Sequence, residues 1–259
     1  MLLCDGHVHL EHQDYFPDLL DSCLLNMRKA IGSSDEQKIN GILLIAELPG
    51  QSWRSYLLDR AENRAGLAGN TTWSLRLSTQ KNVIICENDN GDRLVCVTGQ
   101  QVNTSEKLEL LLFAHDEPYH PESLLISVEK NVKQGSLVVI PWGVGKWLGK
   151  RGEKVSQLLQ NDTASGYFLG DNGNRPAIWG SIPQFSLARK KNIPIIAGTD
   201  PLFLPGQIHR VGGYGTRVPE ESLSSFSTLE FIEIFQNSSP LETYGRQESL
   251  SRFVKAQIG

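Results

Sequence analysis

The sequence predicts an α/β protein, a distorted TIM-like (β/α) barrel with a small antiparallel β-hairpin insertion. Three observations carry this. Continuous apolar runs alternate with helical stretches for most of the chain, as repeated βα units require. Polar residues gather where the apolar runs end, as they do at the mouth of a barrel. The alternation breaks once, between residues 71 and 114, into short strands joined by turn residues. A chain of 259 residues suits one such barrel, and no repeat, low-complexity tract or linker divides it, so a single domain over 1–259 is expected.

The apolar run 2–9 opens the chain as a strand, and residues 15–30 follow as a helix with Phe16, Leu19, Leu20, Cys23, Leu24 and Met27 at helical spacing. A strand at 41–47 stops at Pro49-Gly50, and a charged helix spans 51–64. Residues 73–77, 83–87 and 94–98 are the short strands of the insertion, and 108–114 is an apolar strand returning to the barrel. Alternation then resumes with a helix at 121–133, a strand at 136–142, a helix at 153–160, a strand at 166–170, a helix at 181–191 and a strand at 193–198. An amphipathic helix is expected within 219–236, and a helical tail over 247–258.

Apolar residues make up 39% and charged residues 21%, the balance of a globular chain that buries a sizeable core. A net charge of -4 argues against nucleic acid as a partner but leaves room for a small anionic substrate held by local basic groups. No run approaches the roughly 18 apolar residues that span a bilayer. The first residues lack the charged start and cleavage site of a signal peptide, so a cytoplasmic location is expected. Cys4, Cys23, Cys86 and Cys96 fit that compartment as buried thiols; Cys86 and Cys96 could face each other across a hairpin, but a disulfide there is disfavoured in a reducing cell.

The chemistry concentrates first in Asp5-Gly6-His7-Val8-His9-Leu10. In a strand, residues i and i+2 share a face with Cα atoms about 6.6 Å apart, so both imidazoles can converge on one ion. Neutral imidazole is the commonest protein ligand for zinc. Near the other end, Ile195-Ile196-Ala197-Gly198-Thr199-Asp200 supplies a carboxylate where another strand stops. His7, His9 and Asp200 are therefore the predicted ligands of a divalent ion, zinc first, with manganese or iron as alternatives. Glu47, Trp142 to Lys146 and Asp171-Asn172 close other strands on the same face.

These two segments resemble the first and last metal-binding strands of the metal-dependent hydrolases, both the amidohydrolases and the polymerase-and-histidinol-phosphatase (PHP) phosphoesterases. The PHP pattern is similar through the middle as well. By that match Gln101, in Gly99-Gln100-Gln101-Val102, takes a glutamate position, and Glu109, in Leu108-Glu109-Leu110, takes a histidine position. Pro141-Trp142 falls where the family has a His-Pro pair, and Gly170-Asp171-Asn172-Gly173 near its next acidic strand end. The family's closing Ser/Thr-Asp-x-His stands as Thr199-Asp200-Pro201-Leu202, without the histidine. A trinuclear site would need more histidines than His12, His115, His120 and His209 provide, so the resemblance implies one or two ions, or a site that has lost its metal.

A second feature is the glycine-rich turn 142–152, whose Lys146, Lys150 and Arg151 would face an anion at a strand-to-helix junction. The glycine-rich stretch 201–218 after Asp200 reads as a loop or lid above the mouth. The expected activity is hydrolysis of a small anionic phosphoester by metal-activated water, with Asp200 as ligand, Glu109 or Asp171 completing the coordination or acting as general base, and Lys146, Arg151 and Arg175 binding the substrate's charge. Amide or lactone hydrolysis at an amidohydrolase-like site, and a non-catalytic ligand-binding barrel, are the competing readings.

Overall fold

The computed structural model describes residues 2–32, 37–68, 71–143, 145–161, 163–176, 182–218, 227–238 and 240–247. β1 (Leu2–Val8) leads through a short 3-10 turn into α1 (Phe16–Ile31), then β2 (Asn40–Glu47) and α2 (Trp53–Glu62). β3 (Gly66–Ala68), β4 (Thr72–Leu77) and β5 (Val83–Asn88) precede β6 (Arg93–Asn103) and β7 (Glu109–Phe113). Then come α3 (Leu124–Lys133), β8 (Leu137–Pro141), α4 (Gly149–Gln160), β9 (Tyr167–Asn172), α5 (Pro183–Lys190), β10 (Ile195–Gly198), β11 (Tyr214–Val218), α6 (Thr228–Asn237) and β12 (Thr243–Gly245). The helical tail expected over 247–258 lies almost wholly outside the described residues.

All twelve strands join one mixed sheet, nearly closed into a barrel, with the main path β10-β9-β8-β7-β6-β2-β1-β11-β12. The five runs expected to lie parallel do so. β1 pairs parallel to β2, and β2 to β6; β8 pairs parallel to β9, and β9 to β10. The two sets run the same way because β7 is antiparallel to both β6 and β8. β11 is also antiparallel, along β1. The sheet is therefore not the uniform parallel array of a TIM barrel. The reason is chain length: the turn 104–108 between β6 and β7 is too short for the crossover of about a dozen residues that parallel neighbours need.

Two further expectations change. The run predicted as a hairpin strand at 94–98 extends to Asn103, because β6 pairs with the insertion strand β5 through its first part and with β7 through its second. The stretch 201–218 is not wholly a loop: Tyr214–Val218 is a strand held between β1 and β12. The insertion, β3 to β5, branches antiparallel from β6. Across the β5–β6 pair the buried thiols of Cys86 and Cys96 stand 3.9 Å apart and unbridged. Among the described residues no helix is long and apolar enough to cross a membrane.

Alternation sorts the strand side chains into two layers. Cys4, Ile42, Leu44, Val95, Val97, Leu111, Val139, Phe168 and Ile196 fill the interior, where α6 adds Phe231 and Phe235 beside Leu2 and Val218, at the end where β1 begins. Leu3, Leu43 and Ile45 face α1 and α2, while Leu110, Val138, Ile140 and Leu169 face α3, α4 and α5. β1 departs from strict alternation. Asp5 stands opposite Leu43 but Val8 stands opposite Ile45, so three steps on β1 match two on β2, a bulge with one extra residue. Leu3 before the bulge and Val8 after it both pack outward, and His7 and His9 consequently face the interior side.

The edges β10 and β1 approach without a hydrogen-bonded ladder, and the buried carboxylate of Asp5 bridges them. It accepts from the Thr199 backbone N–H (2.8 Å), the Thr199 hydroxyl (2.6 Å) and the Gly212 N–H (2.8 Å). The Asp200 N–H donates to the His7 carbonyl at 2.7 Å, and the Thr216 hydroxyl accepts from the Ala197 N–H at 2.8 Å. Gly198 allows this approach, since a Cβ there would run into the backbone of Gly6 and His7. A Gly198→Ala substitution is therefore expected to lower the thermal midpoint by several degrees, measurable by differential scanning fluorimetry.

Candidate metal centre

His7 and His9 come from the end of β1, and Asp200 follows β10 directly across the seam. The two Nε2 atoms lie 3.0 Å apart, and Asp200 Oδ1 lies 3.6 Å from His7 Nε2 and 3.5 Å from His9 Nε2. A circle through those three atoms has a radius of about 2.0 Å, so an ion about 2.1 Å from each would sit just outside their plane, at zinc-ligand distance. Among the described residues this is the one group of three or more His, Cys, Asp or Glu side chains so disposed.

Neighbouring groups orient the donors. His9 Nδ1 lies 2.8 Å from the Ala46 carbonyl and donates to it, which turns the lone pair of His9 Nε2 inward. Gln101 hydrogen-bonds His7. The Asn172 side-chain amide donates to Asp200 Oδ2, leaving Oδ1 for the centre, and the Asn174 amide donates to the Asp200 carbonyl. Those bonds hold Asp200 at φ +47°, a conformation that costs a non-glycine residue roughly 1–3 kcal/mol. Burial lowers the His7 pKa to about 4, opposed by the Asp200 carboxylate and reinforced by His9. Burial pushes Asp200 upward, but the two histidines and the amides of Asn172 and Asn174 outweigh it and hold the carboxyl below its ordinary value. An uncharged His7 and an ionised Asp200 are the protonation states in which these groups bind metal.

The three donors open into a cavity of about 340 Å³ that also meets Gln101, Glu109, Trp142 and Lys146. Glu109 reaches the mouth from the first residue of β7, because an antiparallel strand brings its beginning to the face where its neighbours end. It forms an ion pair with Lys146, the one cationic side chain lining the cavity among the described residues.

The remaining predicted site residues are placed elsewhere. Asp171 does not enter the cavity. Phe168 points inward on β9, so Asp171 points outward and Asn172 takes the interior position. Asp171 instead holds Arg175 through two bonds of 2.8 Å and accepts from the Tyr214 hydroxyl. Arg175 is thus fixed outside the cavity, over the Phe185 ring. Arg151 lies within α4 and donates to the Gly145 carbonyl. Of the three basic residues expected to hold an anion, only Lys146 lines the cavity. Glu47 accepts from the Arg54 N–H at the start of α2. His12 is exposed beside Asp14, His115 is buried against Ser136, and His209 contacts Ser22.

No protein-family model matches the chain, and no curated protein sequence does. Among solved structures it is similar to the crystal structure of PsfC from Pseudomonas syringae PB-5123, with a TM-score of 0.58 and 14% identity over 99% of this chain and 96% of that one. At that identity the likeness is one of fold.

The buried centre gives an expected pH dependence in metal-free protein. With His7 at about 4 when folded against 6.5 when unfolded, acidification between those values protonates the unfolded chain first and removes stability. Burial raises Asp5 from 3.8 to about 6, so over the overlapping range the folded chain takes up that proton first and gains stability. The two effects oppose each other. His7→Gln removes only the first, so its stability relative to wild type should rise by roughly 2 kcal/mol from pH 6.5 to 4.5 in urea titrations. An unchanged difference would show that His7 titrates normally.

Proposed function

We propose that this protein is a metal-dependent hydrolase acting on a small anionic substrate, a phosphoester foremost. One observation carries the reading: Nε2 of His7, Nε2 of His9 and Oδ1 of Asp200 converge at metal-ligand spacing in a cavity that also holds Lys146 and Glu109. A divalent ion bound there, zinc by its donor set, would polarise the substrate and lower the pKa of a bound water. Lys146 attracts an anionic oxygen of the substrate, and Glu109 keeps Lys146 directed across the cavity. Glu109 also stands where a carboxylate can take a proton from water entering between it and the histidines. Asn172 and the Ala46 carbonyl keep Asp200 and His9 in the required orientations.

The resemblance to the PHP phosphoesterases belongs to this proposal, as does a distorted TIM-like descent of the barrel. Of the residues aligned with that family's middle motifs, Gln101, Glu109 and Trp142 line the cavity, which supports it, while Asp171 points away. An amidohydrolase-type reaction on a neutral amide or lactone is the second reading. It is favoured by the pairing of Lys146 with Glu109, which leaves the cavity without surplus positive charge from its described lining.

Zinc-loaded protein assayed against phosphomonoesters, amides and lactones separates the two. Phosphoester turnover is expected, with Lys146→Ala raising KM about tenfold and lowering kcat less, since it removes binding of the anion and leaves Glu109 to repel it. Turnover of neutral substrates alone would replace this reading with the second.

A further inference from the structure

The cavity does not end at Phe203. A second concavity of about 410 Å³ continues from it, sharing His9, Pro201, Leu202 and Phe203. Its remaining wall is largely apolar, formed by Tyr15, Leu204, Pro205 and Ile208, with Glu11 its one acidic side chain. Tyr15, Phe203 and Leu204 keep 47%, 40% and 38% of their surface exposed. Single exposed apolar residues are ordinary, but these three line one concavity beside the polar centre, where an apolar part of a ligand can leave water. Phe203 joins the two compartments, its ring edge-on to that of His9 with centroids 6.2 Å apart. Lys146 lines only the first compartment and Tyr15 only the second, so the combined groove is polar at one end, where Lys146 pairs with Glu109, and apolar at the other.

We propose that the substrate is an amphipathic small molecule. Its anionic, hydrolysable head sits between Lys146 and the His7–His9–Asp200 centre, and a compact apolar arm of one or two rings lies over Phe203 toward Tyr15 and Leu204. The head rests on the hydrolase reading above, while the arm rests on the groove itself. Glu11 at the far compartment repels a second anionic group, so the substrate is charged at one end only.

Calorimetry on zinc-loaded protein with methylphosphonate and naphthylmethylphosphonate, a hydrolysis-inert pair differing only in the arm, tests this. The naphthyl compound should bind at least tenfold more tightly, the effect of about 60 Å² of apolar surface leaving water. The double variant Phe203→Ser/Leu204→Ser changes two exposed side chains and should bring the two affinities within about twofold. Equal affinities in the wild type, no binding by either compound, or a ratio that the double variant preserves would overturn the proposal. A tenfold ratio that the variant abolishes, in a protein that hydrolyses no phosphomonoester, would uphold the apolar arm and reject the phosphoesterase reading.

Discussion

Asp200→Asn and His9→Gln are each expected to weaken zinc binding by more than 100-fold and to abolish hydrolysis, while the fold persists. Asparagine is close to the shape of aspartate and tolerates the positive φ of position 200, so the backbone there need not change. What it loses is the anionic Oδ1 that lies 3.6 Å and 3.5 Å from the two imidazole nitrogens. Altering groups that merely orient a ligand typically costs 10–100-fold in metal affinity, so removing a direct donor should cost more. Plasma emission spectrometry of dialysed protein gives the metal content, and circular dichroism reports the fold. Wild-type zinc content in both variants would exclude this centre. Asn172→Ala, which removes the amide that orients Asp200 together with its bonds to the Trp142 carbonyl and the Asn174 N–H but no metal donor, should fall between them and wild type.

Asp5→Ala should produce the largest loss of stability of any single change considered, about 3–5 kcal/mol against the 5–15 kcal/mol typical of a whole domain. The carboxylate is fully buried and accepts from Thr199 N, Thr199 Oγ1 and Gly212 N. Alanine would strand those donors at roughly 1–3 kcal/mol each, less whatever water enters. Asp5→Asn keeps one acceptor oxygen and should lose less, which preserves a measurable variant if the alanine protein fails to fold. Urea denaturation gives both values. A loss below about 1 kcal/mol for Asp5→Ala would show that the seam between β1 and β10 closes without it.

Most of the architecture was legible in the sequence because it rests on local pattern. The apolar runs that became β1, β2, β8, β9 and β10 are buried on both faces, and their continuity announced parallel strands. His7, His9 and Asp200 were legible for the same reason, each lying at or just beyond the end of such a run. Direction was harder to read. Only the short turn at 104–108 signals that β7 reverses, and β11 hides among the glycines of 201–218 because it is specified by its neighbours β1 and β12. Asp171 and Asn172 close β9 side by side, and because Tyr167, Phe168 and Leu169 before them are all apolar and buried, the run does not say which of the two turns inward. Arg151 and Arg175 matched an anion site by type, but each is taken up by a partner close to it in the chain, the Gly145 carbonyl and the Asp171 carboxylate.

The extra residue in β1 makes the strand behave like a reading frame. Up to Asp5 the odd-numbered side chains belong to the helix-packed layer; beyond the bulge the even-numbered Val8 does, and His7 and His9 are read into the interior. Deleting Gly6 would remove the extra residue and leave both histidines facing the interior. A β1 kept at full length without the bulge would instead bring each histidine into the other frame, against α1 and α2. Such a protein would keep every predicted ligand in its sequence and have no centre. Conversely, insertions or deletions elsewhere in the loops would leave the frame untouched. The extra residue in the first strand therefore decides whether His7 and His9 meet Asp200 at all.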